Sequence, residues 1–115
     1  MSENQETLRL VQLFTLFREP EFVKSHSQGI EENGYKMFTV KTEISIPVLG
    51  KVILASVYFP RSAKAIPVLI LNDEQNKILR KHSIRFIIRK RKHPGEAGKY
   101  YCFPSKNVFE KIVSI

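Results

Sequence analysis

The sequence predicts an α+β fold: a five-stranded, mostly antiparallel sheet with N-terminal helices, a helix between strands 3 and 4, and a C-terminal helix. Two observations predict it. Apolar residues recur at helical spacing near both ends of the chain, and apolar and polar residues alternate with a period of two between them. With 115 residues, of which 43% are hydrophobic, the chain is long enough for a single domain with an ordinary core.

Residues 1–30 of this domain are expected to form a helical N-terminal segment. An apolar stripe runs along the first helix, from Leu8 to Phe17, and Pro20 ends it. Pro20 also suits the first turn of a second helix, from Glu21 to about Ser27. The stripe predicts burial in the core. Alternatively, this first helix docks on a protein partner or on a second copy of the chain.

Residues 35–103 are expected to form a strand-rich core that follows a turn at Asn33-Gly34. The alternation is clearest in the first strand, one face of which carries Phe38, Val40, Ile44 and Ile46. In the second strand, one face carries Ile53, Ala55, Val57 and Phe59. The third strand is almost entirely apolar, which is typical of burial on both faces. The five strands are predicted at residues 35–46, 51–59, 66–71, 84–92 and 99–103.

Two further helices are indicated by capping residues. Asn72-Asp73 caps a helix from about Glu74 to Lys81, which separates the third and fourth strands. Ser105 caps a C-terminal helix over residues 105–115. One face of that helix carries Val108, Phe109, Ile112 and Val113.

The order of elements from Tyr35 to Phe103 resembles that of the OB-fold, which commonly binds oligonucleotides. This resemblance implies a small barrel. The same order also suits an open antiparallel sheet with helices on one face. The sequence therefore predicts either a five-stranded sheet or a small OB-like barrel.

Positive charge is concentrated in the second half of the chain. The net charge is +8, but residues 1–60 carry −1 and residues 61–115 carry +9. Between Arg80 and Lys99 there are eight lysines and arginines and one glutamate, a net charge of +7. A local excess of this size attracts polyanions.

The fourth and fifth strands are predicted to form a basic β-hairpin that contacts nucleic acid. Arginine grips phosphates and tyrosine offers a stacking surface to unpaired bases, so we expect a non-enzymatic domain that favours single-stranded DNA or RNA. Because adjacent strand residues face opposite ways, one of its two tyrosines is expected to face the core. The candidate residues are Arg85, Arg89, Lys90, Arg91, Lys92, Lys99, Tyr100 and Tyr101.

A second basic group could extend this surface. Its alternative interpretation is a helix end in which Arg80 and Lys81 complement the helix dipole. The group comprises Arg61, Lys64, Lys77, Arg80 and Lys81.

Three alternatives to nucleic-acid binding stay open. The basic strand can be a solvated edge that blocks aggregation. The hairpin can belong to a protein-interaction module or inhibitor that docks on an acidic partner surface. The third alternative is a metal-independent ribonuclease, for which His93 is the candidate catalytic residue.

Cofactor and metal sites are not expected. Cys102 is the only cysteine, which excludes a disulfide scaffold and a cysteine-rich zinc site, and its apolar neighbours predict a buried thiol. The polar N-terminus lacks the features of a signal peptide, and the apolar stretches are too short to span a bilayer. We expect a cytoplasmic or nuclear protein that is not secreted.

Overall fold

The computed structural model describes residues 2–32, 35–84, 89–92 and 95–115. These described residues form four helices and six strands. The helices are α1 (Ser2–Leu16), α2 (Pro20–His26), α3 (Asp73–Lys81) and α4 (Lys106–Val113). The strands are β1 (Gln28–Glu32), β2 (Tyr35–Ile46), β3 (Gly50–Phe59), β4 (Lys64–Asn72), β5 (Arg89–Lys92) and β6 (Lys99–Phe103).

The strands form one antiparallel sheet in the order β1-β2-β3-β4-β6-β5. The four strands β2, β3, β4 and β6 make its body, and the short strands β1 and β5 lie at the two edges. Within the described residues β1 pairs only with β2, and β5 only with β6, so the sheet is open. The α+β class therefore stands, but the predicted five-stranded sheet and the OB-like barrel are both wrong.

The barrel prediction fails because the two edge strands lie at opposite ends of the sheet, and a barrel requires them to pair. The strand count fails at β1, where the sequence has a single large apolar residue, Ile30, and therefore no visible alternation. Glu32 pairs with Tyr35. The predicted turn at Asn33-Gly34 lies outside the described residues, but Asn-Gly in a sequence is a strong hairpin signal that pointed to a strand on each side.

The core lies between the helices and one face of the sheet. β2, β3 and β4 supply buried residues such as Ile44, Leu54 and Leu69, which cluster with residues of α1, α3 and α4. Phe14 of α1 stacks on Phe109 of α4, with ring centroids 4.4 Å apart. Helix α2 contacts β2, β3 and β4, and its Phe22 packs against the same core cluster. All four helices therefore cover the same face of the sheet.

The predicted caps of α3 and α4 are confirmed. The Asn72 side chain accepts a hydrogen bond of 2.9 Å from the Gln75 amide, and the Gln75 side chain accepts one of 3.0 Å from the Asn72 amide. Gln75 also donates to the carbonyls of Leu49 and Lys51, which ties α3 to the turn between β2 and β3. Ser105 caps α4 by accepting from an amide in its first turn.

The stripe along α1 is mainly core. Leu10, Phe14 and Phe17 are buried, whereas Leu8 is 55% exposed and Leu16 is 42% exposed. Docking of this helix on a partner or on a second copy remains a prediction that concerns those two leucines. In the part of the chain that the structure describes, no helix has the length and apolar character needed to cross a membrane.

Candidate functional site

The face of the sheet that points away from the helices is the candidate site, and we call it the exposed face. Cross-strand partners on this face align in rows. One row crosses four strands, because Glu43 pairs with Ile53, Ile53 with Ile70, and Ile70 with Tyr101. Arg91 of β5 pairs with Tyr101 and so extends the row by one strand. One row of the exposed face thus runs from β2 through β3, β4 and β6 to the basic edge strand β5.

A second row runs parallel to the first. Lys41 pairs with Ala55, which pairs with Val68. Phe103 lies two residues beyond Tyr101 on β6, and its register partner in β5 is Arg89. The two arginines at the edge therefore occupy the same rows as the two aromatic residues of β6.

The middle of the exposed face is apolar. Ala55 and Val68 at its centre are buried, whereas Ile53, Val57 and Ile70 around them are half-buried and Ile66 is 43% exposed. None of the described helices covers this side. A half-open apolar surface in the centre of a sheet is unusual enough to indicate a contact surface.

A shallow depression lies on this face. It has a volume of about 390 Å³ and is lined by Lys41, Glu43, Ile53, Ile70, Glu96 and Lys99, among others. A second depression of about 270 Å³ adjoins it and shares several of these residues. Its lining also includes Lys51 and Gln75. The loop that precedes β6 therefore borders the exposed face, and lysines surround an isoleucine floor.

The charge of the exposed face is positive. Lysines outnumber acidic residues among its described residues: it has four lysines, against Glu43, Glu96 at its border and the register position of Glu32. The Glu96 carboxylate lies 2.9 Å from the Lys99 ammonium at the border of the depression. Both side chains are about half exposed, so solvent screens this ion pair and its net stabilisation is small. The four lysines are Lys41, Lys51, Lys64 and Lys99.

The two adjacent tyrosines of β6 lie on opposite faces. Tyr100 packs against the hydrophobic core, whereas Tyr101 lies in the exposed row beside Ile70. The Tyr100 phenol hydrogen-bonds the Asp73 carboxylate, and this bond, the negative charge of Asp73 and burial raise the pKa of Tyr100. Of the two predicted stacking residues, Tyr101 is the one placed where a ligand could reach it.

The structure places the remaining hairpin candidates unevenly. Arg89, Lys90 and Arg91 lie in β5, paired along β6. Lys92 ends that strand and is exposed. Arg85 and the candidate catalytic residue His93 lie outside the described residues, so both stay predictions.

The second basic group does not form one surface. Lys64 begins β4 on the exposed face, next to the loop that contains Arg61. Lys77, Arg80 and Lys81 lie on α3, which packs on the opposite face through Leu79. Lys77 is also 3.7 Å from Glu74. The predicted extension is therefore split between the two sides of the sheet.

Residues with metal-binding or nucleophilic chemistry are not grouped in the described part of the chain. No cluster of three or more His, Cys, Asp or Glu residues occurs among the described residues. Cys102 is fully buried and its thiol donates to the Asn76 side chain at 3.8 Å, which agrees with the prediction of a buried thiol. His26 stacks on Phe22 at the surface, and His82 follows α3 as an exposed residue.

The contribution of β2, β3 and β4 to this site was not predicted from the sequence. The predicted site included the hairpin but not Lys41, Lys51, Ile53 or Ile70. A signal was present in β3, where Val52 and Leu54 on one face and Ile53 and Val57 on the other are all apolar. Helices that pack on one side of the sheet cover only one of these two faces, so the other apolar face stays uncovered.

Comparison with known proteins adds no relative: no family model, no curated protein and no solved structure matches this chain.

Proposed function

We propose that the protein is a non-enzymatic nucleic-acid-binding domain that favours single-stranded DNA or RNA and grips phosphates through the basic hairpin of β5 and β6. The observation that carries this proposal is the pairing of β5, whose sequence is Arg-Lys-Arg-Lys, with the aromatic strand β6. Four consecutive cations at a sheet edge, beside Lys99, are a dense electrostatic target for a phosphate backbone.

The lysines of the exposed face support the same function. Lys41 and Lys51 lie on β2 and β3, several strands away from the hairpin, yet they line the same depressions as Lys99. A backbone held at β5 can therefore continue across the face under attraction from further cations. This continuity favours an extended polyanion over a compact acidic ligand.

The proposal is tested by fluorescence anisotropy with labelled single-stranded DNA, single-stranded RNA and duplex DNA. About four phosphate contacts to a single strand give a slope near −3 in log affinity against log salt, roughly a 50-fold loss between about 50 mM and about 200 mM salt. The double variant Arg89→Ala with Arg91→Ala should abolish most of the binding. The matched control, Lys77→Ala with Lys81→Ala, removes two cations from α3 and should bind nearly as well as the wild type.

A slope near zero, or equal losses in the two double variants, would contradict the proposal. A stable stoichiometric complex with an acidic protein that survives nuclease treatment would favour the protein-interaction alternative. The same RNA samples also test the ribonuclease alternative, since cleavage that is lost in His93→Ala and unaffected by a chelator would assign catalysis to that residue.

A further inference from the structure

We infer that the exposed face is a platform for unpaired bases, so that the ligand is a single strand whose bases lie on the sheet while its phosphates meet the surrounding lysines. This inference rests on the proposed function and extends the binding surface from the hairpin to β2, β3 and β4. Its occupant is a single-stranded nucleic acid.

The width of the face argues against the bases of a duplex. Strands in a sheet lie about 4.8 Å apart, so the span from β2 to β6 is about 14 Å before side chains are added. The major groove of B-DNA is about 12 Å wide and admits a helix or a two-stranded ribbon. A four-stranded body therefore cannot enter the major groove of undistorted B-DNA and reach base edges, whereas unpaired bases can lie flat against it.

The side chains of the face suit base stacking. Tyr101 and Phe103 are aromatic and each keeps part of its surface accessible to solvent. Ile53 and Ile70 continue the row from Tyr101 as an apolar floor. Stacking on aromatic residues is sequence-tolerant, because every base has a flat face, and exposed aromatic residues on an open sheet serve single-stranded RNA in the same way.

The charge of the face argues against a second copy of the chain as the occupant. In a face-to-face dimer, positive charge of one copy would meet positive charge of the other, because the cations of the face outnumber its acidic residues. The face has four lysines and the register positions of Arg89 and Arg91, against Glu43, Glu96 and the register position of Glu32. Like charges placed opposite one another disfavour such a contact. A polyanion with planar apolar groups complements both the lysines and the apolar centre.

The inference is tested first on the unaltered protein, with two probes of equal charge. One is an oligothymidine of about 12 nucleotides, a length within the range of single-strand sites, and the other is a strand of the same length with the bases removed. The two probes carry the same number of phosphates, so a difference in affinity reports on the bases. If at least one base stacks on the platform, the probe without bases should bind roughly 5- to 150-fold more weakly. Equal affinity for the two probes would overturn the platform and leave the proposed function intact.

A variant pair then locates the platform. Tyr101→Phe keeps the ring and should bind as the wild type does, whereas Tyr101→Leu should lose most of the preference for the probe with bases. Both variants should keep the salt slope of the wild type, because neither changes a charge. Loss of preference in both variants, or in neither, would contradict a stacking role for this ring, and a thermal melt confirms that each variant is folded.

Two double variants that each remove two lysines complete the test. Lys41→Gln with Lys51→Gln should reduce the magnitude of the salt slope for single strands, whereas Lys77→Gln with Lys81→Gln on the opposite side of the sheet should leave it unchanged. Equal slopes in the two variants would show that phosphates do not cross the exposed face. Absence of binding by the wild type to every probe would instead refute the proposed function itself.

Discussion

Glu96 and Lys99 form an ion pair of 2.9 Å at the border of the exposed face. If a phosphate binds there, Glu96 competes with it for the lysine and also repels the ligand. Glu96→Gln should therefore strengthen binding of a single strand, by roughly 1.5- to 5-fold, the range expected from a half-exposed pair. Anisotropy at low salt measures the change.

The matched control is Glu74→Gln, which breaks an ion pair of 3.7 Å to Lys77 with the same spacing of three residues along the chain. Glu74 lies on α3, away from the exposed face, so its loss should have little effect on affinity. If Glu96→Gln binds more weakly than the wild type, or if both variants gain the same affinity, Lys99 is not part of the interface.

Ser83 has a positive φ of 61° at the end of α3, and its replacement should stabilise the fold. The Ile84 amide donates to the Leu79 carbonyl at 3.1 Å and the Ser83 amide donates to the Arg80 carbonyl at 3.1 Å, which is the Schellman arrangement. Glycine adopts this backbone conformation without the strain that a Cβ adds. Ser83→Gly should raise the free energy of unfolding by about 1 kcal/mol and Tm by about 4 °C.

Ser114→Gly is the control for that prediction. Ser114 caps α4 with a φ of −99°, where a side chain is not strained. Glycine there adds only flexibility to the unfolded chain, so Tm should stay the same or fall. A similar rise in both variants would contradict the strain at Ser83.

The sequence predicted the helices and most strands well, because their signals are local. The capping residues Asn72 and Ser105 and the stripe on α1 depend only on neighbouring residues. The sequence could not decide which face of β3 is covered, since Leu54 on one face and Ile53 on the other are both apolar. That choice depends on where the helices pack, which is a property of the whole chain.

The candidate site was predicted in part for the same reason. The basic hairpin is visible as a charge run, and the expectation that one of Tyr100 and Tyr101 faces the core follows from alternation. The assignment of Tyr101 to the exposed side needed the register with Ile70. Lys41 and Lys51 could not be linked to the hairpin, because they lie 50 and 40 positions before Arg91 in the sequence. The sheet connects them to Arg91 only through the intermediate strands.

The Tyr100–Asp73 pair should make stability depend on pH in the alkaline range. The raised pKa of Tyr100 means that the folded state holds the phenolic proton more strongly than the unfolded state does. This contribution is complete below the unfolded value of 10.0 and is lost as the pH rises through the higher folded value. Urea midpoints measured at about pH 8 and about pH 11 should show a smaller fall in Tyr100→Phe than in the wild type.

Other tyrosines also ionise in that range, so Tyr101→Phe provides the reference for a β6 tyrosine on the opposite face. The difference between the two variants isolates the Asp73 contact. An equal pH-dependent fall in the wild type and in Tyr100→Phe would show that the contact does not couple the proton to folding.

Ser56 fixes the end of α1 to the middle of the sheet, and its removal should destabilise the protein. Its side chain is fully buried, and its hydroxyl donates a hydrogen bond to the Phe17 carbonyl, which lies just beyond the end of α1. The last carbonyls of a helix have no partner within the helix, so Ser56→Ala leaves this carbonyl without its hydroxyl partner in the core. The expected cost is about 1–3 kcal/mol in the free energy of unfolding, measured by urea denaturation.

Ser45→Ala provides the comparison, because Ser45 is an exposed residue on β2 and the same atoms are removed. Its effect should stay within about 0.5 kcal/mol, as for other surface substitutions. If the two variants lose the same stability, the Ser56 hydroxyl does not hold α1. If only Ser56→Ala lowers the free energy of unfolding, and its m-value is that of the wild type, the lost stability comes from the hydrogen bond in the folded state. A change in the denatured state would also alter the m-value.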